Sequence, residues 1–330
     1  MKRALIATAA AAACAPLLAQ QPAEQTLPPV VVTSPMPGVA QKAFDTPVSV
    51  DVIGGDQLRE GQLGVNLSES LARAPGLTAL NRQNYAQDIQ ISSRGYGARS
   101  TFGVRGLRLF TDGIPATAPD GQGQVSHFDL NSAERIEVLR GPFSALYGNA
   151  SGGVISLFTA DGGPRTVAEV SSAFGSYGTQ RHAVRLSGQE GKVQYNLSAT
   201  HFDTDGSRGH SAATREGLNA KLKYNASDAT KVTVVLNSVR LPDAQDPLGL
   251  TRAEFNADPK QASPAALQFD TRKSVDQTQG GVVLEHRLND VHSLKVTGWS
   301  GKRETVQFQA IPVATQTPIT HPGGVIGLER

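Results

Sequence analysis

The sequence predicts a small mixed α/β domain followed by strands of an antiparallel transmembrane β-barrel. Three observations carry this. The stretch Glu134–Thr159 reads as strand, glycine-broken turn and strand. Upstream of it, short strand and helix signals alternate over roughly a hundred residues, the mixed pattern of a compact domain. Downstream, after Gly163, the chain changes to long segments in which apolar and polar residues alternate. Alternation with one apolar and one polar face is the mark of a strand with lipid on one side and a wet lumen on the other.

Composition agrees. The chain has 330 residues, with 18% charged, 39% hydrophobic and 34 glycines, a balance suited to turn-rich β structure. A formal net charge of +2 gives no electrostatic case for a nucleic-acid partner. Outside the N-terminus there is no apolar run long enough for a membrane-spanning helix.

Lys2 and Arg3 precede the apolar run Ala4–Leu18, and Leu17-Leu18-Ala19 offers a small residue at a cut, so residues 1–19 read as a secretory signal peptide. The single cysteine, Cys14, falls inside that segment and lacks the leucine three positions earlier that a lipoprotein signal carries. The mature chain then has no thiol and forms no disulfide framework. Residues 20–43 read as a flexible tail rich in Gln, Pro and small residues. Within it Leu27-Pro28-Pro29-Val30-Val31-Val32-Thr33 is held extended by its prolines and carries three β-branched valines, as addition to a partner's sheet edge requires.

The α/β domain is expected over 44–162. Val48–Ile53 is a strand; Asp56-Gln57-Leu58 and Leu67–Ala72 open helices, the second with Asn66 or Ser68 as N-cap and Pro75-Gly76 as its stop. Ile89–Gly95 and Val104–Phe110 are strands, and Thr111-Asp112-Gly113 turns the chain sharply. Arg135–Leu139 and Val154–Phe158 complete the set, joined through Gly141-Pro142 and the Tyr147-Gly148-Asn149 loop. From 163 to 330 about seven alternating segments follow. Val193, Tyr195, Leu197 and Ala199 oppose Gln194, Asn196, Ser198 and Thr200; Leu218, Ala220, Leu222 and Tyr224 oppose Asn219, Lys221 and Lys223. Short turns alternate with the long excursions Asp203–Arg215 and Leu241–Lys273. The Gly-Ser-Tyr-Gly turn at 175–178 is expected as a barrel hairpin without an assigned side.

The ordered run Arg135–Tyr147 resembles the closing part of the plug domain of TonB-dependent outer-membrane receptors, gated transporters in which a plug fills a large β-barrel. The resemblance implies the fold class, a mixed α/β plug domain followed by the first strands of an antiparallel transmembrane β-barrel. It makes Leu27, Pro28, Pro29, Val30, Val31, Val32 and Thr33 a TonB box. It also makes Arg94, Arg105, Arg135, Glu137 and Arg140 members of plug–barrel ion pairs, a reading consistent with the need of enclosed charges for partners. Such receptors have about 22 strands around a plugged lumen. About seven strands cannot close such a barrel, and an open edge in lipid leaves backbone groups unpaired. The chain is therefore expected to be an N-terminal fragment without transport competence of its own. The extra N-terminal signalling domain of sensory members of the family is not expected either, the tail being short.

Further stretches, Asn81–Asp88, Arg94–Ser100, Asp112–Gln124, Asp246–Thr251 and Asp270–Lys273, resemble the YncD/PqqU-type receptors, which implies pyrroloquinoline quinone as cargo, with ferric citrate or another ferric siderophore as the alternative. Arg82, Tyr85, Tyr96 and Arg99 are the candidate substrate contacts, cations and aromatic faces suited to a flat or chelated polycarboxylate. The partners implied are TonB with its energising complex, outer-membrane lipid and a small anionic substrate. No catalytic set, metal cluster or phosphate loop stands out, so neither an enzyme nor a cofactor is expected. Asp203-Thr204-Asp205-Gly206 lacks the further ligands of a cation loop and reads as a turn. A passive surface-binding barrel is the reading from another class; it has no need of the 27–33 segment.

Overall fold

The computed structural model describes residues 31–33, 41–80, 83–100, 103–118, 120–141, 144–148, 150–310, 319–320 and 323–329. The expected signal peptide with Cys14, the box residues Leu27 to Val30, and Arg82 lie outside the described residues.

Two short strands, β1 (Val31–Val32) and β2 (Gln41–Lys42), pair antiparallel ahead of the plug. The plug proper is a five-stranded mixed sheet with small helices. Its strands are β3 (Ser49–Gly54), β6 (Leu107–Thr111), β7 (Ile114–Pro115), β8 (Ala133–Arg140) and β9 (Gly153–Thr159), in the order β3-β8-β9-β6-β7. A separate hairpin joins β4 (Leu77–Leu80) to β5 (Gln90–Ser93). The helices are α1 (Gly55–Arg59), α2 (Ser68–Leu71) and α3 (Ser144–Tyr147).

The glycine-broken stretch folds as expected. β8 and β9 pair antiparallel, and β9 then runs parallel to β6. Gly153 has φ 120°, and a Cβ there would stand 2.0 Å from the Leu139 carbonyl oxygen, so only glycine lets the strands approach so closely. The β6–β7 turn places both Asp112 (φ 51°) and Gly113 (φ 82°) in the left-handed region, the turn that an Asp-Gly pair favours. Leu58, Leu71, Ile91, Leu107, Leu109 and Ile136 are fully buried in one cluster. Each contributes roughly 1.5–3 kcal/mol of burial free energy.

Two local expectations are corrected. Neither Asn66 nor Ser68 caps α2 through its side chain. Instead the Glu69 carboxylate accepts the backbone N–H groups of Gly64, Val65 and Asn66 at 2.7, 3.0 and 2.8 Å, ordering the approach to the helix. After the expected Pro75-Gly76 stop, Leu77–Leu80 forms a strand that pairs with β5. Ser144–Tyr147 forms a helical turn within what reads in sequence as a loop.

The wall is an antiparallel meander: β10 (Val167–Phe174), β11 (Gln180–Glu190), β12 (Val193–Thr204), β13 (Ala213–Asn225), β14 (Thr230–Gln245), β15 (Arg272–Arg287) and β16 (Ser293–Phe308). The short β17 (Ile319–Thr320) and β18 (Gly323–Glu329) both pair with β16. Val184, Leu197, Leu218, Leu222, Leu236, Val282 and Val296 stand exposed on one face. Asn196, Ser198, Asn219, Asn237, Gln277 and Gln279 are buried on the other. Period-two alternation thus separates a lipid face from a face packed against the plug. Segments 191–192, 226–229 and 288–292 form a short-turn rim, and 175–179, 205–212 and 246–271 form a long-loop rim. The 175–178 turn belongs to the long-loop rim, since the Asp205 N–H donates to the Tyr177 carbonyl at 2.9 Å. The longest loop carries α4 (Arg252–Ala257), with a Thr251–Glu254 capping box, and α5 (Pro264–Phe269).

Candidate functional site

The plug meets the wall in two polar regions, one toward each rim. Toward the long-loop rim, the plug segment 84–88 is bound to a wall loop far from it in sequence. Asp246 is buried, and its carboxylate accepts Asn84 Nδ2 at 2.7 Å and Gln87 Nε2 at 2.5 Å. Lys273 Nζ lies 2.7 Å from Asp88 Oδ1. Burial alone would raise the Asp88 carboxyl, but Lys273, aided by Arg303 and the Gly103 N–H, holds it below the usual carboxylate range. Arg215 from β13 grips the plug carbonyls of Val65 and Ser126, the latter at 2.5 Å. Arg303 donates to Ser126 Oγ at 2.8 Å. His127 is enclosed between Gln277, 3.0 Å from its Nδ1, and the edge of Phe128. Burial, with Arg303 and Arg215 nearby, lowers its pKa to about 3, so the ring is neutral.

Toward the short-turn rim, Lys221 lies 3.3 Å from Asp112 and 2.8 Å from Asp161, and donates to the Thr159 carbonyl at 2.6 Å. Lys223 pairs with Asp161 as well. Asp112 also accepts the Thr159 N–H and hydroxyl, so one turn carboxylate ties β6, β9 and the wall together. Burial opposes ionisation of Asp161, and the two lysines more than reverse this, keeping its pKa low. A cavity of about 470 Å³ opens here, bordered by Thr33, Arg135, Phe158, Lys231, Glu285 and Lys295.

Three of the expected box residues, Val31, Val32 and Thr33, are described, and they dock on the plug. Val32 is fully buried. The Thr33 N–H donates to both oxygens of Glu137, at 3.1 and 3.0 Å, and its hydroxyl lies 3.3 Å from Oε1. Arg135 Nε donates to the same oxygen at 2.8 Å, and its Nη2 reaches the Thr33 hydroxyl at 3.3 Å.

The expected plug–barrel ion pairs are placed differently. Arg105 pairs with Asp120 at 3.4 Å, Arg135 with Glu134 and Glu137, and Arg140 with Asp51 at 2.5 Å, all inside the plug. Arg94 sits exposed at φ 48° in the turn after β5. Among the described residues none of the five forms an ion pair with the wall strands. Asp88–Lys273, Asp112–Lys221 and Asp161 with Lys221 and Lys223 make that connection instead. Sequence reading missed them because Lys221, Lys223 and Lys273 look like ordinary lumen-facing charges until the plug is in place.

The substrate candidates also separate. Tyr96 and Arg99 are exposed. Tyr85 is committed to packing, 4.8 Å from the Phe202 ring, and burial with help from Glu69 pushes its pKa up to about 12. Its hydroxyl is therefore a neutral packing group. Asp203 accepts the Thr214 hydroxyl at 2.6 Å and the Gly206 N–H donates to Thr204 Oγ1 at 3.1 Å, the bonding of a turn.

Residues 42–154 match the TonB-dependent Receptor Plug Domain. The vitamin B12 transporter BtuB of Photobacterium profundum is 31% identical over 224 residues, covering 64% of this chain and 33% of that protein. The hemin receptor of Yersinia pestis is 26% identical over 253 residues, 73% of this chain and 35% of that protein. In structure, the unliganded ferric citrate transporter FecA superposes with a TM-score of 0.63 at 23% identity, over 79% of this chain and 40% of that one. The alcaligin receptor FauA of Bordetella pertussis gives 0.61 at 16% identity, over 84% and 42%. The chain thus spans about a third of the length of the curated relatives and about two fifths of the solved structures. Its plug and antiparallel wall share the fold of these solved receptors. By these comparisons residues 42–154 match the TonB-dependent receptor plug domain, and the chain is similar in sequence and fold to TonB-dependent receptors.

Proposed function

We propose that this chain is the plug-bearing part of a receptor for energised uptake of a scarce anionic small molecule, with TonB as the partner that engages Leu27–Thr33. The observation that carries this is the pair of opposite attachments. The end of the box is held by Glu137 toward the short-turn rim, while segment 84–88 is held by Asp246 and Lys273 toward the long-loop rim. Short turns face the periplasm and long loops the exterior in such barrels, so the held box faces the energy source and the apex faces the cargo. On this reading residues 1–19 are the signal peptide, 20–43 the tail, 44–162 the plug and 163–330 the first part of the barrel.

The cargo is proposed by class. Arg99 and Tyr96 offer an exposed cation and aromatic face, and Arg82 lies in the same plug segment as Asn84. These suit pyrroloquinoline quinone, the cargo implied by the loop resemblance. They suit a ferric chelate equally, and relatives named for ferric citrate and ferric enterobactin favour that second reading. Calorimetric titration of the detergent-purified receptor with pyrroloquinoline quinone and with ferric citrate separates the two; binding of neither rejects both. In a complete homologue, deleting the segment that corresponds to Leu27–Thr33 is expected to abolish uptake while sparing binding, and unaffected uptake rejects the TonB partnership.

A further inference from the structure

Between plug and wall, toward the long-loop rim, lies a cavity of about 50 Å³. Tyr85, Asp88 and Ser126 line it from the plug; Arg215 of β13, Lys273 of β15 and Arg303 of β16 line it from the wall. Three cations thus share one cavity with a single carboxylate. That carboxylate is engaged: Asp88 lies 2.7 Å from Lys273 and accepts the Gly103 N–H at 3.1 Å. Asp246, outside the lining, accepts Asn84, Gln87 and the Leu248 N–H.

The two guanidinium groups have no such partner. Their hydrogen bonds end on neutral oxygens: Arg215 on the carbonyls of Val65 and Ser126, Arg303 on Ser126 Oγ, Gln277 Oε1 and, at 3.4 Å, Gln124 Oε1. Among the described residues neither forms an ion pair, and the Nε–H of each donates to nothing. Glu69 and Asp129 lie near Arg215, but both are shared with Arg181. The two arginines converge on Ser126, and like charges drawn together away from water call for a counter-charge. They also hold the neighbouring His127 neutral, a separate sign of a positive field. The Tyr85 hydroxyl, kept protonated, makes no hydrogen bond among the described residues and adds a neutral donor.

We propose that this cavity binds one small monovalent inorganic anion, chloride, through Arg215, Arg303 and the Tyr85 hydroxyl. Volume decides the class. A space of about 50 Å³ admits about one or two particles the size of water, so a polycarboxylate cargo does not fit. Hydrogen bonds from an ionised donor to an anion are among the strong ones, and these donors have no carboxylate to compete for them. Bound there, the anion ties the plug at Ser126 to β13 and β16 and fastens the apex independently of cargo. The site stands whatever the receptor carries.

The test follows chloride itself, on the protein purified in detergent, with gluconate replacing it at constant ionic strength. Chloride is expected to raise the melting midpoint saturably. Its nuclear magnetic resonance line is expected to broaden in the presence of protein, and equimolar bromide should reverse the broadening. Arg303→Gln and, separately, Arg215→Gln each remove one cation while keeping an amide donor, and each should abolish both effects. Arg240→Gln, at an exposed position on the outward face, should leave them unchanged. Heat-modified gel mobility checks that each variant is folded, and the two parent readings decide the matter even where a variant fails to fold. Equal midpoints in chloride and gluconate, absence of broadening in the parent, or full broadening in a folded cavity variant would each overturn the proposal and leave water as the occupant.

Discussion

The backbone N–H of Thr33 is held by both carboxylate oxygens of Glu137, a residue 104 positions away that is itself fully buried. The same carboxylate receives Arg135. A buried anion thus has its charge balanced by the plug and its remaining capacity used on the segment proposed to meet TonB.

Glu137→Gln is expected to loosen that segment. Hydrogen bonds to a charged group contribute about 1.5–3 kcal/mol, and Gln offers Thr33 and Arg135 one neutral acceptor oxygen in place of two charged ones. Limited proteolysis of the N-terminal segment should accelerate, while Glu134→Gln, at an exposed neighbour, should leave the rate unchanged. Equal protection in both variants would show that Glu137 does not hold Thr33.

Lys221→Met should weaken the seating of the plug. Removing the cation leaves Asp112 and Asp161 facing each other without it, and breaking one partner of a buried pair costs about 3–5 kcal/mol. Lys223→Met should cost much less, since Lys223 meets Asp161 alone. Denaturant midpoints of the two variants check the order, and a reversal would assign the lock to Lys223.

His127 makes the apex acid-sensitive. Its folded pKa is lowered to about 3 by burial and the nearby Arg303 and Arg215. The stability it contributes is present above an unfolded value of about 6.5 and is lost as pH falls from there toward 3, by about 1.4 kcal/mol per unit. The low-lying carboxylates Asp88 and Asp161 act in the same direction at lower pH. His127→Gln should flatten the dependence between about pH 6 and 4.5, a window inside the range over which the unfolded imidazole is protonated and the folded one is not, as followed by thermal melting. A slope identical to the parent's would exclude His127 as its source.

Asp246→Ala should free the 84–88 segment without unfolding the plug. Asn84 and Gln87 lose their shared acceptor, while Asp88 keeps Lys273. Hydrogen exchange should rise in 84–88 and stay unchanged in β8 and β9. Exchange rising evenly through the plug would point to general destabilisation instead.

Much of this architecture was readable because it is periodic. Leu218 to Tyr224 alternates with Asn219, Lys221 and Lys223, and a period of two says which side chains share a face whatever they later touch. The Asp112-Gly113 turn was readable for a different reason: its left-handed backbone selects those residues locally. The site was less legible. Lys273 and Asp88 stand 185 residues apart, and only the seating of plug against wall brings them together. The plug arginines misled for the converse reason. Arg105 and Arg140 find Asp120 and Asp51 elsewhere in their own domain, which a motif viewed along the chain does not reveal, and Arg135 is taken up by Glu134 and Glu137 on its own strand. Tyr85 misled because a phenol in a polar loop reads as a ligand contact until Phe202 is seen against it.

Glu137 lies on β8, which is laddered on both sides, to β3 and to β9. A mechanical load entering through Thr33 therefore arrives inside the sheet rather than at its rim. Ladder bonds in an antiparallel pair lie perpendicular to the strands. Tension directed along β8 strains the bonds of both ladders together, in shear, whereas tension directed across it opens one ladder bond after another. The yield of the plug is thus anisotropic: the angle of a pull, as well as its magnitude, decides whether the Thr33 attachment or the sheet beneath it gives way first.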